Sequence, residues 1–358
     1  MVQKVVGSIP ITRPKVVNQD SKAPIGAFCY TLLMAKNASI QWNNSLRLAL
    51  SDVDETIADV YTPAEPAMID ELASFLDEGH KLFLVTGGSI QRVQNDITNF
   101  LPPELRQNIL ISHCSGAEVW GFMPQGELQP SPFYSVYEEN FTDHTKQAWR
   151  KIVDQLINEF GLRPHSTQQK IDFWATVGRD PLDIMLDDRG PQITLEVVNG
   201  IDLTAEQLKT LPYPVPLTHG KHDLRVAIMD RANELFSANN IPVTPRLGGV
   251  FALDLAIQGV SKTTSIKRVL ADNQVLATIG LAQGDIKNPQ ELEVWGDKFS
   301  IIHGGTDRHI SEAVSPKVRS IDFREENPSE FPKGFNIVIW DGRHRLHHGL
   351  LEYLQSRH

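Results

Sequence analysis

Two aspartates one residue apart, Asp52 and Asp54 in "SDVDET", close an apolar run from Leu46 to Leu50, and Glu55 follows directly. A carboxylate at the end of a buried strand is costly unless a cation or hydrogen-bond donors meet it. In an open parallel sheet, ligands bind at the carboxyl ends of the strands, which is where this pair falls. Later segments carry matching groups. "KLFLV" runs into "TGGS", which sets the Thr86 hydroxyl and the N–H groups of Gly87 and Gly88 as a cradle for an anion. "GVSKTTSIKRVL" puts Lys262 at the start of a helix, where the dipole disfavours a cation unless an anion lies between them. "LEVWGDKFSIIHGGTD" places Asp297 after another apolar run, with Asp307 ten positions on. Acidic ends on two strands, a hydroxyl and a lysine describe a site for a phosphoryl group with Mg²⁺, which binds through one or two carboxylates plus substrate phosphate.

The elements that must position these groups alternate. "LRLAL", "KLFLV" and "ILISH" read as short buried strands. Between them, "EPAMIDELASFLDEG" sets Ile69, Leu72 and Leu76 on one helical face, and "SIQRVQNDITNF" starts at Ser89 as N-cap. Apolar strands alternating with amphipathic helices mean a parallel sheet covered on both faces, an α/β class with Rossmann-like order. The rhythm changes after Gly121. A long helix carries Trp149, Ile152, Val153, Leu156 and Phe160, "KIDFWATV" and "PQITLEVV" read as strands, and "HDLRVAIMDRANELFSANN" as another helix. We therefore expect residues 1–45 as an extension punctuated by Pro10, Pro14 and Pro24, and a first core part at 46–122. An inserted α+β domain at 123–244 follows, with hinges near Gly121 and Gly248-Gly249. The second core part, 245–358, resumes at "VFALDL" and closes with a strand and a helix.

"DVDET", "LVTGGS", Lys262 in "GVSKTTSIKRVL" and "WGDKFSIIHGGTD" resemble the four ordered motifs of the haloacid dehalogenase superfamily of phosphotransferases. "ILISHCSGAEVWGF" resembles the strand and Gly-Ala turn leading into the cap of the subgroup whose cap lies between the second and third motifs. The resemblance covers Leu46 to about Ala313, and "GDKFSIIHGGTDRHISEA" is most similar to the phosphomannomutase and sugar-phosphatase branch. The chain departs from that pattern in a longer segment between the aspartates, in Thr306 where asparagine is usual, and in Glu55 where glycine is common. The resemblance implies Asp52 as nucleophile and Asp54 as general acid/base. It implies that Thr86, Gly87 and Lys262 bind phosphoryl oxygens. Mg²⁺ would be held by Asp52, the Asp54 backbone carbonyl and Asp297, with Asp307 ligating or orienting a water. "AQGDIKNP", with Asp285 and Asn288, competes for the fourth motif, but only Asp297 directly follows a strand pattern. The cap carries His165, Lys170, Trp174, Arg179, Arg189 and Arg225, of which Arg179 is the first expectation for touching substrate.

With 41% apolar and 22% charged residues over 358 positions, the chain is long enough for a large and a smaller globular unit. A net charge of -10 argues against nucleic acid or anionic lipid as partners. Two cysteines, Cys29 and Cys114, make neither a disulfide framework nor a zinc spacing and fit a reducing, cytoplasmic setting. "APIGAFCYTLLMA" is shorter than the ~20 residues of a membrane helix and reads as a buried or docking segment. His344, His347 and His348 of "GRHRLHHG" look like a metal cluster, but without an acidic partner they read as the exposed face of the last helix. Three functions fit: a Mg²⁺-dependent phosphatase for a small metabolite such as a sugar phosphate, a phosphohexomutase, and a catalytically silent binding protein. The oligomeric state is not legible.

Overall fold

Leu48–Ser51, the strand that ends at Asp52, is buried at every position (β1). In the computed structural model, which describes residues 40–358 except Tyr61 and His219, it lies at the centre of an eight-stranded sheet. The expected extension and Cys29 lie outside the described residues, apart from positions 40–45. Lys81–Val85 (β2) and Ile109–His113 (β3) follow in parallel on one side. Glu118–Trp120 (β4) and Tyr134–Ser135 (β5) then turn antiparallel along the same edge. The helix Pro66–Asp77 between β1 and β2 starts with Pro at its first turn and buries Met68, Ile69, Leu72, Phe75 and Leu76 against the sheet. That stripe has the 3.6-residue period of a helix packed on one side.

Arg163–His165 (β6), Asp183–Asp188 (β7) and Gln192–Glu196 (β8) belong to a second sheet. A small hairpin, Leu217–Thr218 (β9) with Lys221–His222 (β10), stands apart. Val243–Gly248 (β11) and Ala252–Ile257 (β12) complete the second sheet, whose order is β11-β12-β8-β7-β6. Here the expected boundaries are corrected. β12 contains most of "VFALDL" and pairs antiparallel with β8 and β11, so Gly248-Gly249 lies in a hairpin turn and not at a hinge. Its Leu253, Leu255 and Ile257 join the apolar cluster under the helices Asp143–Phe160 and Leu224–Ala238. Asp254, on the opposite face, accepts from Thr194 and Gln192. Such alternation marks an antiparallel strand covered on one side. At the other end β5 extends the core to Ser135, and the second cluster begins at Phe141. "KIDFWATV" is also corrected: Lys170–Thr176 is a helix, with Phe173 buried on Met185 and Val198 and Val177 packed beside them. Its aromatic and β-branched residues suggest a strand, but their packing is helical.

The chain returns to the first sheet with Leu292–Gly296 (β13), parallel to β1, then Arg319–Asp322 (β14) and Ile337–Ile339 (β15). The full order is β15-β14-β13-β1-β2-β3-β4-β5. The last helix, Leu346–Gln355, is fastened from inside: Tyr353 Oη donates to the buried Glu293 at 2.8 Å, and Arg319 pairs with the same carboxylate. No helix among the described residues is long and apolar enough to cross a membrane.

One close approach joins the turn after β3 to the helix Lys262–Ala271. Gly116 has φ +103, and a Cβ there would lie 2.4 Å from the Ser261 carbonyl oxygen and 2.8 Å from Ser265 Oγ. Both the left-handed backbone and the backbone contact exclude a side chain. Gly116→Ala is expected to cost roughly 2 kcal/mol or more, the scale of strain at a special backbone position. Urea unfolding checks it, and a midpoint equal to that of the parent would mean the Ser261 segment yields freely.

Candidate active site

The parallel order places Asp52 and Asp297 side by side, each the first residue beyond one of two adjacent strands. Asp307 reaches the same point from the start of the short helix Arg308–Ser311. Its Oδ2 accepts the N–H groups of Asp297 and Lys298, each at 3.0 Å, which fixes the carboxylate against the end of β13. Lys262, the first residue of its helix behind the Ser261 cap, sends Nζ to Asp52 Oδ1 at 2.6 Å and to Asp307 Oδ1 at 2.9 Å. Thr86 and Gly87 follow β2, the other neighbour of β1. Thr86 is buried, and its Oγ1 accepts the Gly88 N–H at 2.9 Å, which shapes the turn. Asp54 points elsewhere, with its carboxylate 2.6 Å from Arg92 Nη2.

Asp52, Asp297 and Asp307 each bring one carboxylate oxygen within 4.8 Å of the others, and all three are buried. Burial, then the neighbouring Asp307 charge, pushes the Asp52 carboxyl above its ordinary value, and Lys262 only partly offsets this. Burial, Asp307 and Asp52 together push Asp297 up as well. For Asp307 burial also works upward, but Lys262 and the two N–H donors outweigh it and its carboxyl falls below the usual range. Burial works against the Lys262 ammonium, yet the two carboxylates prevail and hold it protonated. Three crowded carboxylates facing one lysine leave an excess of negative charge. An all-oxygen donor set with that excess suits a hard divalent cation, so the residues present fit Mg²⁺.

Asp285, the competing acid, lies elsewhere. It caps the turn Gln283–Ile286, accepting from the Ala282 N–H, and sits 3.6 Å from Arg47, which precedes β1. That is the amino end of the strand whose carboxyl end carries Asp52.

Several residues meet at the site beyond those expected to act there, and of these only Glu55 and Arg189 are singled out by the sequence. Arg324 Nε donates to Asp297 Oδ2 at 3.0 Å, and its Nη2 pairs with Glu55. It is the second residue beyond β14, as Asp297 is the first beyond β13, so a search of strand ends carried one strand further reaches it. Glu55 occupies a left-handed turn, φ +63, where glycine is at ease, and also lies 3.3 Å from Lys298 Nζ. Thr56 Oγ1 approaches Asp297 Oδ1 at 3.4 Å. From the second domain, Arg189 Nη1 donates to the Gly87 carbonyl at 3.0 Å, and Arg246 Nη2 donates to Ser115 Oγ at 2.8 Å. Arg246 sits on β11 with no local signal to distinguish it. Arg179 is exposed and lies over the Trp174 ring at 4.3 Å, inside its own domain. Of the cap arginines, Arg189 and Arg246 are the ones placed against the turns after β2 and β3, and Arg179 is not.

No protein-family model and no curated protein matches the sequence. Solved structures do. A haloacid dehalogenase-like hydrolase from Bacteroides thetaiotaomicron superposes with TM-score 0.50 at 12% identity, over 87% of this chain and 100% of that one. The C-terminal domain of the C. albicans trehalose-6-phosphate phosphatase gives TM-score 0.49 at 12% identity, over 87% and 91% of the two chains. An N-terminally truncated, IMP-bound Plasmodium falciparum IMP-nucleotidase gives 0.41 at 14% identity, over 87% and 68%. With its parallel sheet and inserted second sheet, the chain has the haloacid dehalogenase-like fold.

Proposed function

We propose that the protein is a Mg²⁺-dependent phosphomonoester hydrolase that acts on a small phosphorylated metabolite, a sugar phosphate in the reading its motifs favour. One observation carries it: Asp52 stands at the carboxyl end of the central strand, 2.6 Å from the buried Lys262 ammonium and beside Asp297 and Asp307. Asp52 attacks phosphorus, and the bond to the leaving oxygen breaks as that oxygen takes a proton from Asp54. A water then gives its proton to Asp54 and attacks the aspartyl-phosphate, which returns the Asp52 carboxylate and frees phosphate. Because Asp54 is engaged by Arg92, proton transfer requires those side chains to part. Thr86, the Gly87 N–H and Lys262 bind the phosphoryl oxygens. Asp52, the Asp54 carbonyl and Asp297 would hold Mg²⁺, with Asp307 at its edge, and the ion would supply charge neutralisation at the phosphoryl group. The domain formed by the second sheet lies over this site through Arg189 and Arg246 and would restrict access to small esters. The partner is then a small molecule and not nucleic acid or a membrane, and the compartment the cytoplasm.

Asp52→Asn is expected to lower phosphate release by at least about 10³-fold while the fold survives, since the amide keeps the shape but cannot attack. Near-parental turnover in a phosphate-release assay would remove Asp52 from the nucleophile's role.

Asp297→Ala should raise the Mg²⁺ concentration needed for half activity by about tenfold or more, and Asp285→Ala should leave it unchanged. Mg²⁺ titrations of both variants decide this. The reverse pattern would transfer the metal to the other acid.

Arg246→Ala should impair a good sugar phosphate about tenfold more than p-nitrophenyl phosphate, which offers no hydroxyls, a gap of ~1.4 kcal/mol. Arg179→Ala should affect both little. Equal losses in Arg246→Ala on the two substrates would place Arg246 outside substrate recognition.

A further inference from the structure

Away from the phosphoryl site, two packed helices bring together three groups of a different chemistry. Glu65 stands at the N-cap position of the helix Pro66–Asp77 but makes no capping hydrogen bond. Its carboxylate turns instead to the first turn of the last helix, Leu346–Gln355. There His348 Nε2 lies 3.0 Å and His347 Nε2 4.0 Å from Glu65 Oε1. One ligand atom from each of the three residues lies within 4.8 Å of the others. These histidines have no acidic partner nearby in sequence, since Glu65 is 283 positions from His348; the fold supplies it.

The arrangement is held from beneath. Leu350, Tyr353 and Leu354 of one helix and Leu72, Phe75 and Leu76 of the other share a single apolar cluster. The two imidazole rings stand 4.1 Å apart between centroids. His347 is largely buried, and Nε2 is the ring nitrogen it turns to Glu65, while its Nδ1 is buried with no hydrogen-bond partner. Glu65 and His348 are half exposed, which leaves room for a further ligand from solvent. Ligand atoms around a tetrahedral ion with bonds of about 2.0–2.1 Å stand roughly 3.3 Å apart. The observed 3.0 and 4.0 Å separations bracket that value and close to it with small side-chain rotations.

We propose that Glu65, His347 and His348 form a second metal site, selective for a borderline-soft divalent ion such as Zn²⁺, which ties the C-terminal helix to the first helix of the core. Two imidazoles and one carboxylate match zinc, whereas Mg²⁺ takes oxygen. The chain thus carries two chemically distinct sites, an all-oxygen one at Asp52, Asp297 and Asp307 and a nitrogen-rich one at Glu65. This inference does not depend on the proposed hydrolase activity.

The test uses the full chain, stripped with chelator and dialysed against Zn²⁺ in millimolar Mg²⁺, which occupies the acidic site. The parent should retain one zinc per chain with micromolar or tighter affinity, and zinc should raise its melting temperature. Glu65→Gln should weaken binding about tenfold or more, and the double variant His347→Ala/His348→Ala should lose it. Asp297→Ala should retain it. Co²⁺ in place of zinc should show the visible absorption of a tetrahedral site in the parent and not in the double variant. Circular dichroism without metal checks that each variant is folded, and Glu65→Gln preserves shape if the double variant is not. Equal zinc binding in parent and Glu65→Gln, or parental binding weaker than about 100 μM (about −5.5 kcal/mol), would overturn the site.

Discussion

A single lysine ammonium, buried between Asp52 at 2.6 Å and Asp307 at 2.9 Å, is the interaction on which the site depends. It joins three segments distant in sequence: the end of β1, the start of the helix Lys262–Ala271 and the loop after β13. Removing one member of such a cluster leaves an uncompensated buried charge, which typically costs 3–5 kcal/mol. The arrangement therefore constrains the fold as well as the chemistry. Gly116, packed without a side chain against Ser261, lets that helix approach closely enough for Lys262 to reach the strand ends.

The carboxylates remain in excess even so. Asp297 is met by Arg324 and, more weakly, by Lys298, and Glu55 ties both cations back to the first acidic motif. The result is a ring of charge in which each acid has a cation but the central three still repel. Such like-charge crowding in an all-oxygen donor set suits a hard divalent cation, which would relieve the repulsion.

The second sheet contributes its cations from strands whose opposite face is a conventional apolar core. Arg189 reaches the Gly87 carbonyl and Arg246 the Ser115 hydroxyl, at the turns that follow β2 and β3. A further contact runs from Arg268 on the Lys262 helix to Glu139. These are polar, separable contacts of the kind found between domains that move relative to one another. The turns beside the acidic cluster are thus also places where the two domains touch.

The central parallel sheet was legible in the sequence, because short runs such as "LRLAL", "KLFLV" and "ILISH" are mostly apolar without a strict polar alternation, as suits a strand buried on both faces. The sequence also determined Asp52, Thr86, Lys262 and Asp297 as strand-end or helix-start residues, since position relative to an apolar run is a local property. It misplaced the domain limits. "VFALDL" carries the same apolar signal whether it pairs with β1 or with β8, and pairing partner is not local information. It misread "KIDFWATV" because eight residues are too few to separate a period of 2 from one of 3.6 when aromatic and β-branched residues favour a strand. Tertiary structure alone decided which charges meet. Asp285 and Asp297 are similar acids in similar company, but one closes on Arg47 at the amino end of the sheet and the other on Asp52 at the carboxyl end. Arg179 and Arg246 are both cap arginines, yet only Arg246 lies on a strand that carries it to the core. Glu65 and the two C-terminal histidines meet only because the first and last helices pack. Side-chain reach is a few ångströms, and which groups fall within it is set by chain crossings that no local pattern records.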